Sequence, residues 1–486
     1  MGATGIAMLF ATGLSMMLAG LPAWLVLLGN AMLFALGGIC FGAFTLPLLF
    51  ALPVRVLGLL EHDLLQALPL YVLIGAMLNR LPLADILFRA GARLLGRSTS
   101  APKLAGLGLG ALLAPMNGSV GASVAMLTRA VLPRLDARSV PAEEGAALIC
   151  CASTIGVVVP PSLVLILLGD AMLRAHTEAL NLTHASTRII NTQDIFHGAL
   201  LPAALMLLLF FLVTWWRGRR APRTDDPPIL ATRGECLVAG AAVTSILALL
   251  ASVTLGVIYP VEAAATGGLA LCMYGLLTRT LTWPLLKLIL HDALAISGSL
   301  FALLVAATVY TLVLRAFETD LWIAGFLRGF GNADTALIVV LLILGLSGFI
   351  LDAIEIIFVI VPVVMPPLLT LAPDATWVAV LALLVLQMSF LLPPFGYAVL
   401  MVGSVVQRKL SQAVLARALL PYLLVQACIV GLVLARPGLV WHSHPAARSA
   451  PGDQASDAQV QEMLDQLRRE NDPAAAEAAA AAVKPD

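Results

Sequence analysis

Long apolar runs separated by short polar stretches dominate this chain. Runs of spanning length or close to it lie at 5–28, 31–54, 64–80, 143–168, 198–216, 236–258, 261–278, 285–315, 335–350, 376–403 and 413–435. A helix needs about 20 apolar residues to cross the hydrocarbon core of a bilayer. Backbone amides in lipid find no water partner, so each run is predicted to be helical. The pattern therefore predicts an all-α integral membrane protein with about a dozen apolar segments.

Two further apolar segments, 104–132 and 351–372, are interrupted by small residues and prolines. Gly tolerates backbone geometries that other residues resist, and Pro lacks an amide donor. Backbone groups freed by such a break are tolerated at membrane depth only inside protein or beside a wet cavity. Both segments are therefore candidate sites.

The composition supports a lipid environment, because 60% of the 486 residues are hydrophobic and only 12% are charged. Soluble domains carry about 25% charged residues. Uninterrupted runs of this length also argue against a porin-like barrel, whose strands alternate over about 10 residues. Formal net charge is zero, and we find no basic patch for nucleic acid. The six cysteines form no metal-ligand pattern.

The loops predict an orientation. The basic cluster 217–223 is expected on the cytoplasmic side, and loop 174–197, which is poor in Lys and Arg, on the outer side. The first apolar run lacks a charged leader and a clear cleavage site, so we interpret it as a retained span. The polar stretch from about 440 is predicted to be a flexible tail.

The chain carries traces of an internal repeat, which is common in transporters. Three features recur 233 positions later, and a fourth recurs after 229. These pairs are Pro160-Pro161 with Pro393-Pro394, Pro133 with Pro366, Ser119 with Asp352, and His62-Asp63 with His291-Asp292. The last pair is expected to begin spans at an interface. We also expect Arg315 and Glu318 to pair on one helix face.

The first candidate site is a cluster of small and polar residues within 117–123. Its members are Asn117, Gly118, Ser119, Gly121 and Ser123. Freed carbonyls and hydroxyls suit a desolvated cation, and helix N-termini suit an anion. The alternative is a small-residue face that lets two helices approach closely.

The second candidate site is a pair of predicted helix breaks in the middle of apolar runs. The first break carries Thr154, Gly156, Pro160, Pro161 and Ser162, and the second carries Pro393, Pro394 and Gly396. A proline cannot continue the backbone ladder and also restricts the residue before it. Broken helices at corresponding positions in two halves indicate a transport site.

Asp352 and Glu355 supply the only acidic pair inside the interrupted segment 351–372. A carboxylate at the bilayer centre costs about 2.5–3.5 kcal/mol on insertion scales, so a function is the default interpretation. Their spacing of three would let both face one cavity. The alternative is an acidic pair at the membrane interface.

The sequence argues against a serine hydrolase and against an ATP-driven pump. Ser119 stands in a Gly-Ser-Val-Gly context, but Asn117 breaks the full Gly-x-Ser-x-Gly pattern of a hydrolase. A Walker-type nucleotide loop is absent from the sequence, which argues against an ATP-driven pump. We therefore expect a protein that is not an enzyme.

At these residues the chain resembles the large permease subunit of TRAP transporters, the tripartite ATP-independent periplasmic family. The resemblance covers roughly 15–435. The motifs that carry it are the Gly-Ser stretch at 117–125, Pro-Pro-Ser at 160–162, Tyr-Pro-Val-Glu-Ala-Ala-Ala at 259–265, Leu-Asp-x-x-Glu-Ile at 351–356 and Pro-Pro-Phe-Gly at 393–396. The stretches around Thr154 and Asp352 look closest to the branch associated with mannitol and chloroaromatic compounds, whose members are linked to 2-oxo and 2-hydroxy acids.

The resemblance implies an elevator-type fold of two inverted repeats, each with a re-entrant helical hairpin. It implies sodium coupling without another cofactor, a small four-helix membrane subunit, a periplasmic solute-binding protein and a small organic anion as substrate. It places the protein in a bacterial inner membrane. Substrate and sodium would lie beside the candidate residues above, with Na⁺ near Ser119, Thr154 and Asp352.

On this basis the chain divides into five expected regions. These are N-terminal scaffold helices 1–60, a first repeat 61–216 with hairpin 104–132, a cytoplasmic loop and scaffold helices 217–284, a second repeat 285–435 with hairpin 351–372, and the tail 436–486. Two residues depart from the family pattern, because Leu392 replaces a usual Thr and Asn117 a usual Ser or Thr. The alternatives are a stand-alone sodium–anion symporter of similar design and a membrane assembly protein without transport.

Overall fold

The computed structural model describes residues 2–44, 50–60, 63–96, 98–117, 119–183, 188–219, 231–372, 374–406 and 410–441. The predictions for Gly118, for His62 and for the tail beyond 441 lie outside the described residues. The part of the chain that is described contains helices and no strand. The all-α fold class is confirmed.

The described ranges contain the α-helices α1 to α21. Their bounds are α1 Gly2–Ala19, α2 Ala23–Cys40, α3 Leu52–Leu60, α4 Asp63–Arg80, α5 Leu83–Leu94, α6 Ala101–Leu113, α7 Val120–Asp136, α8 Ala142–Thr154, α9 Leu163–Thr183, α10 Thr192–Arg219, α11 Arg233–Thr254, α12 Pro260–Leu277, α13 Trp283–Ala316, α14 Thr319–Arg328, α15 Ala333–Ser347, α16 Ala353–Val359, α17 Val361–Leu369, α18 Ala375–Leu391, α19 Tyr397–Val405, α20 Gln412–Ala435 and α21 Gly438–Trp441. Short 3₁₀ turns, Ala114–Met116 and Ile155–Val157, extend α6 and α8.

Seven helices in the described ranges are long and apolar enough to cross a membrane on their own, and an eighth span arises if α3 and α4, which lie at 55° to each other, act together. These seven are α1, α2, α10, α11, α12, α13 and α20. Other predicted spans are interrupted. The runs 143–168 and 376–403 each contain two helices, and 335–350 forms the 15-residue helix α15.

The first two predicted spans had the wrong boundaries. We expected 5–28 and 31–54, whereas α1 ends at Ala19 and α2 covers Ala23–Cys40. Gly20 adopts a left-handed φ of +58°, and Pro22 immediately precedes α2. Both residues end a helix for local steric reasons that hydropathy alone does not register.

The same order of elements occurs twice. The series α4, α5, α6, α7, α8, α9, α10 corresponds to α13, α14, α15, α16–α17, α18, α19, α20. Both Pro-Pro pairs are cis and lie between corresponding helices. The second hairpin begins earlier than 351–372, because α15 is its first arm and contacts α17. His291 and Asp292 lie inside α13 and do not begin it, which corrects that expectation.

The most buried helices surround the two breaks. Side chains of α8 and of the first half of α9 are buried, and almost all of α18 is buried. By contrast, α1, α2 and α11 expose most of their apolar surface. An apolar helix without a polar face must lie inside protein or against lipid. The first break therefore sits in the interior, and the exposed helices form the lipid-facing wall.

Candidate functional site

The tip of the first hairpin, formed by the turn Ala114–Met116 and by Ser119, packs against the first break, residues 155–162. Gly156 approaches Ala114 so closely that a Cβ at position 156 would lie 2.5 Å from the Ala114 carbonyl carbon. One turn earlier, a Cβ at Gly110 would meet the Ala152 carbonyl oxygen at 2.6 Å. Real Cβ atoms do not approach backbone this closely, so α6 and α8 pack backbone to backbone because glycine is present.

The second repeat contains the corresponding contact, but here the glycine belongs to the hairpin and not to the broken helix. Gly348, in the turn 348–352 of the second hairpin, faces Ser389 near the end of α18, and a Cβ there would lie 2.2 Å from Ser389 Oγ. Ser389 corresponds to Gly156 (389 − 156 = 233), and Gly348 corresponds to Pro115 (348 − 115 = 233). The close contact is therefore present in both repeats.

Ser119 and Gly156 line one small cavity together with Ser153. Its volume is about 10 Å³, close to the smallest cavity that holds one water molecule. Two helix N-termini border it, because Val120 begins α7 and Leu163 begins α9. The ends of both 3₁₀ turns border it as well. The cavity thus combines amide ends with carbonyl ends at a site too small for an organic ligand.

Serines cap the two helices that begin at this cavity. Ser119 Oγ accepts a hydrogen bond from the Ala122 amide at 3.1 Å, and Ser162 Oγ accepts one from the Leu165 amide at 3.2 Å. Each cap satisfies one of the amides that a helix start leaves without a partner. Ser119 is thus a helix cap that retains a lone pair toward the cavity, and Ser162 is a structural cap.

Asn117 is 4% exposed and belongs to a short hydrogen-bonded chain. Its Nδ2 donates to Ser123 Oγ at 3.2 Å, and Ser123 Oγ donates in turn to the Ser119 carbonyl at 3.1 Å. Because the Ser123 proton is used, the amide must present its nitrogen to Ser123. Asn117 Oδ1 is then left buried without a donor in the described structure. A buried acceptor of this kind suits a cation.

Thr154 is fully buried, and its hydroxyl donates to the carbonyls of Cys150 and Cys151, both at 3.1 Å. Ser153 donates to the Cys150 carbonyl at 3.0 Å. Both hydroxyls therefore keep only lone pairs for other partners. A hydroxyl with its proton already donated presents an oxygen, which again favours a cation over an anion.

Asp352 and Glu355 together cap α16. Asp352 Oδ1 accepts from the Ala353 amide at 2.7 Å, and Glu355 Oε2 accepts from the Asp352 amide at 3.0 Å. This reciprocal arrangement is a capping box. Both side chains are half-buried, and neither lines the cavity beside Ser119. Both carboxyls therefore lie at the start of α16, and that they face one ion or substrate cavity stays a prediction.

The second break differs from the first in exposure. Pro160, Pro161 and Ser162 are buried, whereas Pro393 is half-buried and Pro394 is exposed. Gly396 is buried, and a Cβ there would lie 2.5 Å from the Phe390 carbonyl oxygen. Leu392 ends α18 with its side chain 37% exposed. The second break is therefore the more accessible of the two.

Tyr397 is a site residue that the sequence analysis missed. It begins α19, and its ring packs against Phe390 with centroids 6.0 Å apart. A Cβ at Gly121 would lie 3.4 Å from the Tyr397 hydroxyl, and the carboxyls of Asp352 and Glu355 lie within electrostatic reach of that hydroxyl. Tyr397 thus connects the two hairpin turns. Its position directly after Pro-Pro-Phe-Gly was the available signal.

The structure changes the partner of Arg315 and adds two contacts that the sequence analysis did not predict. Arg315 pairs with Glu178 of α9 at 2.5 Å and not with Glu318, whose φ of +56° places it before α14. Asp292 pairs with Arg80 at 2.7 Å. Glu262 accepts from the Tyr259 amide at 2.9 Å and so caps α12. Nothing in the sequence indicated the two interhelical pairs, Arg315–Glu178 and Asp292–Arg80.

Comparison with known proteins agrees with this architecture. Residues 3–439 match the sequence model described as "Tripartite ATP-independent periplasmic transporter, DctM component". The C4-dicarboxylate TRAP transporter large permease protein of Pseudomonas aeruginosa is 22% identical over 77% of this chain and 84% of its own length. The 2,3-diketo-L-gulonate TRAP transporter large permease protein of Escherichia coli is 23% identical over 77% of this chain and 85% of its own length.

The fold is also similar to that of the YdaH transporter of Alcanivorax borkumensis, with a TM-score of 0.56 and 18% identity over 81% of this chain and 89% of that one. The family match covers most of the chain and contains both hairpins and both breaks. Its relatives are permeases and not enzymes. The chain therefore belongs to the DctM component family of tripartite ATP-independent periplasmic transporters, as a large permease subunit.

Proposed function

We propose that this subunit imports a small organic acid by sodium-coupled secondary transport across a bacterial inner membrane. The observation that carries the proposal is the pair of matched contacts, Ala114 on Gly156 and Gly348 on Ser389. Each brings a hairpin turn against a broken helix inside the protein. Broken helices in corresponding positions of two halves are typical of ion and substrate sites in secondary transporters.

Sodium is the coupling ion in this proposal. The cavity beside Ser119 has the size of a single small ion or water. The polar side chains that line it are the hydroxyls of Ser119 and Ser153, and Ser153 presents an oxygen because its proton is donated to the Cys150 carbonyl. Asp352 would contribute a charge from the second hairpin. Oxygen-rich sites suit hard cations.

The substrate in this proposal is a carboxylate, with 2-oxo and 2-hydroxy acids as the expected class. The names of the relatives support an organic acid, because both C4-dicarboxylates and 2,3-diketo-L-gulonate are acids. A periplasmic binding protein would deliver the substrate, and a small membrane subunit would complete the permease. The more precise branch assignment stays a prediction.

Each ligand would favour binding of the other. Sodium would order the hairpin turns, and the anion would then bind beside the added positive charge and the helix N-termini. Transport would follow when the hairpins, with α8, α9, α18 and α19, move against the remaining helices in an elevator-like step. This sequence of events makes binding of the anion dependent on sodium.

Sodium binding can be tested without knowing the substrate. We expect NaCl to raise the unfolding temperature of the purified protein above that in choline chloride, because a ligand that binds the folded state stabilises it. Asp352→Asn keeps a helix-capping side chain but removes the charge. We expect it to raise the half-maximal sodium concentration by about tenfold, since ligand charge sets affinity at hard-cation sites.

Asp374→Asn is the matched control, because Asp374 also caps a helix, α18, through the Thr376 and Trp377 amides. Its sodium response should match that of the wild type. Equal sodium responses in all three proteins would contradict the assignment of Asp352. Uptake of succinate and 2,3-diketo-L-gulonate by proteoliposomes, with and without the binding protein, separates this proposal from a stand-alone symporter.

A further inference from the structure

A second and much larger cavity lies away from the small ion-sized one. Its volume is about 810 Å³, within the range of about 300–1,000 Å³ that ligand pockets occupy. Helices α3, α9, α13, α16 and α17 form its walls. It is therefore bounded on one side by the second hairpin and on the other by α3 and α13.

The charges of this cavity are arranged on three helices. Asp170, Arg174 and Glu178 are spaced by four along α9 and so share one face of that helix. Arg55 of α3 and Arg315 of α13 are the other charged lining residues among those that the structure describes. These described residues contribute three guanidinium groups and two carboxylates, so they carry one net positive charge.

Two of the arginines already have acidic partners. Arg174 Nε lies 3.1 Å from Asp170 Oδ2, and Arg315 Nη2 lies 2.5 Å from Glu178 Oε2. Arg55 makes no hydrogen bond or ion pair with any other residue that the structure describes, and it is exposed into the cavity. The excess positive charge therefore belongs to Arg55.

The cavity lies on the outer side if the basic cluster at the end of α10 is cytoplasmic. The second half of α9 is joined by a short loop to the start of α10, opposite to Arg219. That half of α9 carries Arg174 and Glu178. An anion arriving from the periplasm would therefore meet this cavity before it reaches the hairpin turns.

We propose that this cavity is an outward-side vestibule for the organic anion, in which Arg55 supplies the attracting charge. The inference rests on the proposed direction of transport and names a site for its substrate. A guanidinium fork matches the geometry of a carboxylate. Clefts lined by one sign of excess charge concentrate ions of the opposite sign and raise their encounter rate.

Thiol labelling tests the vestibule without any knowledge of the substrate. Thr308→Cys places a reporter in the wall, in a full chain whose accessible cysteines Cys40, Cys236, Cys272 and Cys428 are replaced by Ala. Two methanethiosulfonate reagents of similar size are compared, one an ethylsulfonate and the other an ethyltrimethylammonium. Each labelling rate is divided by the rate at which the same reagent reacts with a small thiol in solution, which removes the difference in intrinsic reactivity between the two reagents.

We expect the anionic reagent to label faster on this scale, and we expect Arg55→Gln to reduce the anion-to-cation ratio by about tenfold. Arg55→Lys should retain the ratio, because it keeps the charge. Arg436→Gln removes a charge from an exposed position outside the cavity lining and should leave the ratio unchanged. Thr311→Cys provides a second reporter on the same wall.

A ratio near one in the parent protein, or the same ratio after Arg55→Gln, would overturn the vestibule. So would the absence of labelling at both reporters, since the cavity would then be closed to water. None of these results depends on sodium or on uptake. The vestibule and the proposed transport function can therefore fail separately.

Discussion

At the scale of single residues, small changes in chemistry determine what each half of the site can bind. Asn117 presents a buried oxygen because the Ser123 proton is donated to the Ser119 carbonyl. The usual family hydroxyl at that position would also present an oxygen, so Asn117 preserves the type of ligand. Leu392 is different, because its exposed apolar side chain offers no oxygen. The second break therefore depends on its neighbours for polar contacts.

Tyr397 is such a neighbour, and its hydroxyl can be removed without losing its ring. We expect Tyr397→Phe to retain the packing on Phe390 and the unfolding temperature. In the proposed site the Tyr397 hydroxyl would donate to the substrate carboxylate. We expect the substrate concentration for half-maximal uptake to rise about tenfold, since losing a hydrogen bond to a charged group costs about 1.5–3 kcal/mol. Proteoliposome uptake measures this change.

Tyr259→Phe is the control for that variant, because Tyr259 is exposed at the start of α12 and away from both hairpins. It should leave uptake unchanged. If Tyr397→Phe also transports like the wild type, Tyr397 has only a packing role.

At the scale of elements, the tip of each hairpin packs on its broken helix through a contact that only glycine permits. The first repeat places the glycine on the broken helix, at Gly156, and the second places it on the hairpin, at Gly348. A glycine on either partner allows the same close approach between hairpin and broken helix. Both repeats therefore require the close approach and not a particular residue at one position. A side chain on both partners would separate the turn from the break and open the site.

Because the glycine can stand on either partner, a second substitution is expected to restore the stability lost in the first. We expect Gly348→Ala to lower the free energy of unfolding by about 1–3 kcal/mol, because the added methyl would overlap Ser389. Adding Ser389→Gly should restore most of that loss, since it recreates the arrangement of the first repeat. Thermal unfolding in detergent measures both variants.

Gly298→Ala is the matched control, because no atom lies within 4 Å of a Cβ at this position in α13. It should be neutral or slightly stabilising, as alanine favours helix. Equal stability of Gly348→Ala and Gly348→Ala with Ser389→Gly would show that the contact at Ser389 does not limit stability.

At the scale of the whole molecule, two kinds of interhelical ion pair can be distinguished. Arg315 of α13 pairs with Glu178 of α9, whereas Arg80 of α4 pairs with Asp292 of α13. In the elevator-like step we propose, α9 moves with the hairpins while α4 and α13 remain together. The first pair would have to separate during transport, and the second would not.

Cross-linking tests this difference. We expect a short bifunctional thiol reagent to block uptake in the variant with Glu178→Cys and Arg315→Cys, because α9 is then fixed to α13. The same reagent should leave uptake intact in the variant with Arg80→Cys and Asp292→Cys. Uptake that survives complete cross-linking of the first pair would exclude relative motion of α9 and α13.

The sequence by itself determined that the protein lies in lipid, that it is helical, that it contains an internal repeat and where the two helix breaks are. These features arise from local properties: apolar run length, the missing amide of proline and the spacing of Pro160-Pro161 and Pro393-Pro394. It also indicated Ser119, Gly156 and Asp352, because polar and small residues are conspicuous in apolar surroundings.

Only the tertiary structure decided which of those residues meet. Ser119 and Gly156 share a cavity, whereas Asp352 lies beside Tyr397, and Arg315 pairs with Glu178 rather than with its neighbour Glu318. The spacing of residues within one helix constrains contacts along that helix. The two glycine contacts of the site join residues 42 and 41 positions apart (156 − 114 and 389 − 348), and the Arg315–Glu178 pair of the large cavity joins residues 137 positions apart. These contacts depend on how helices pack against one another, which no local pattern encodes.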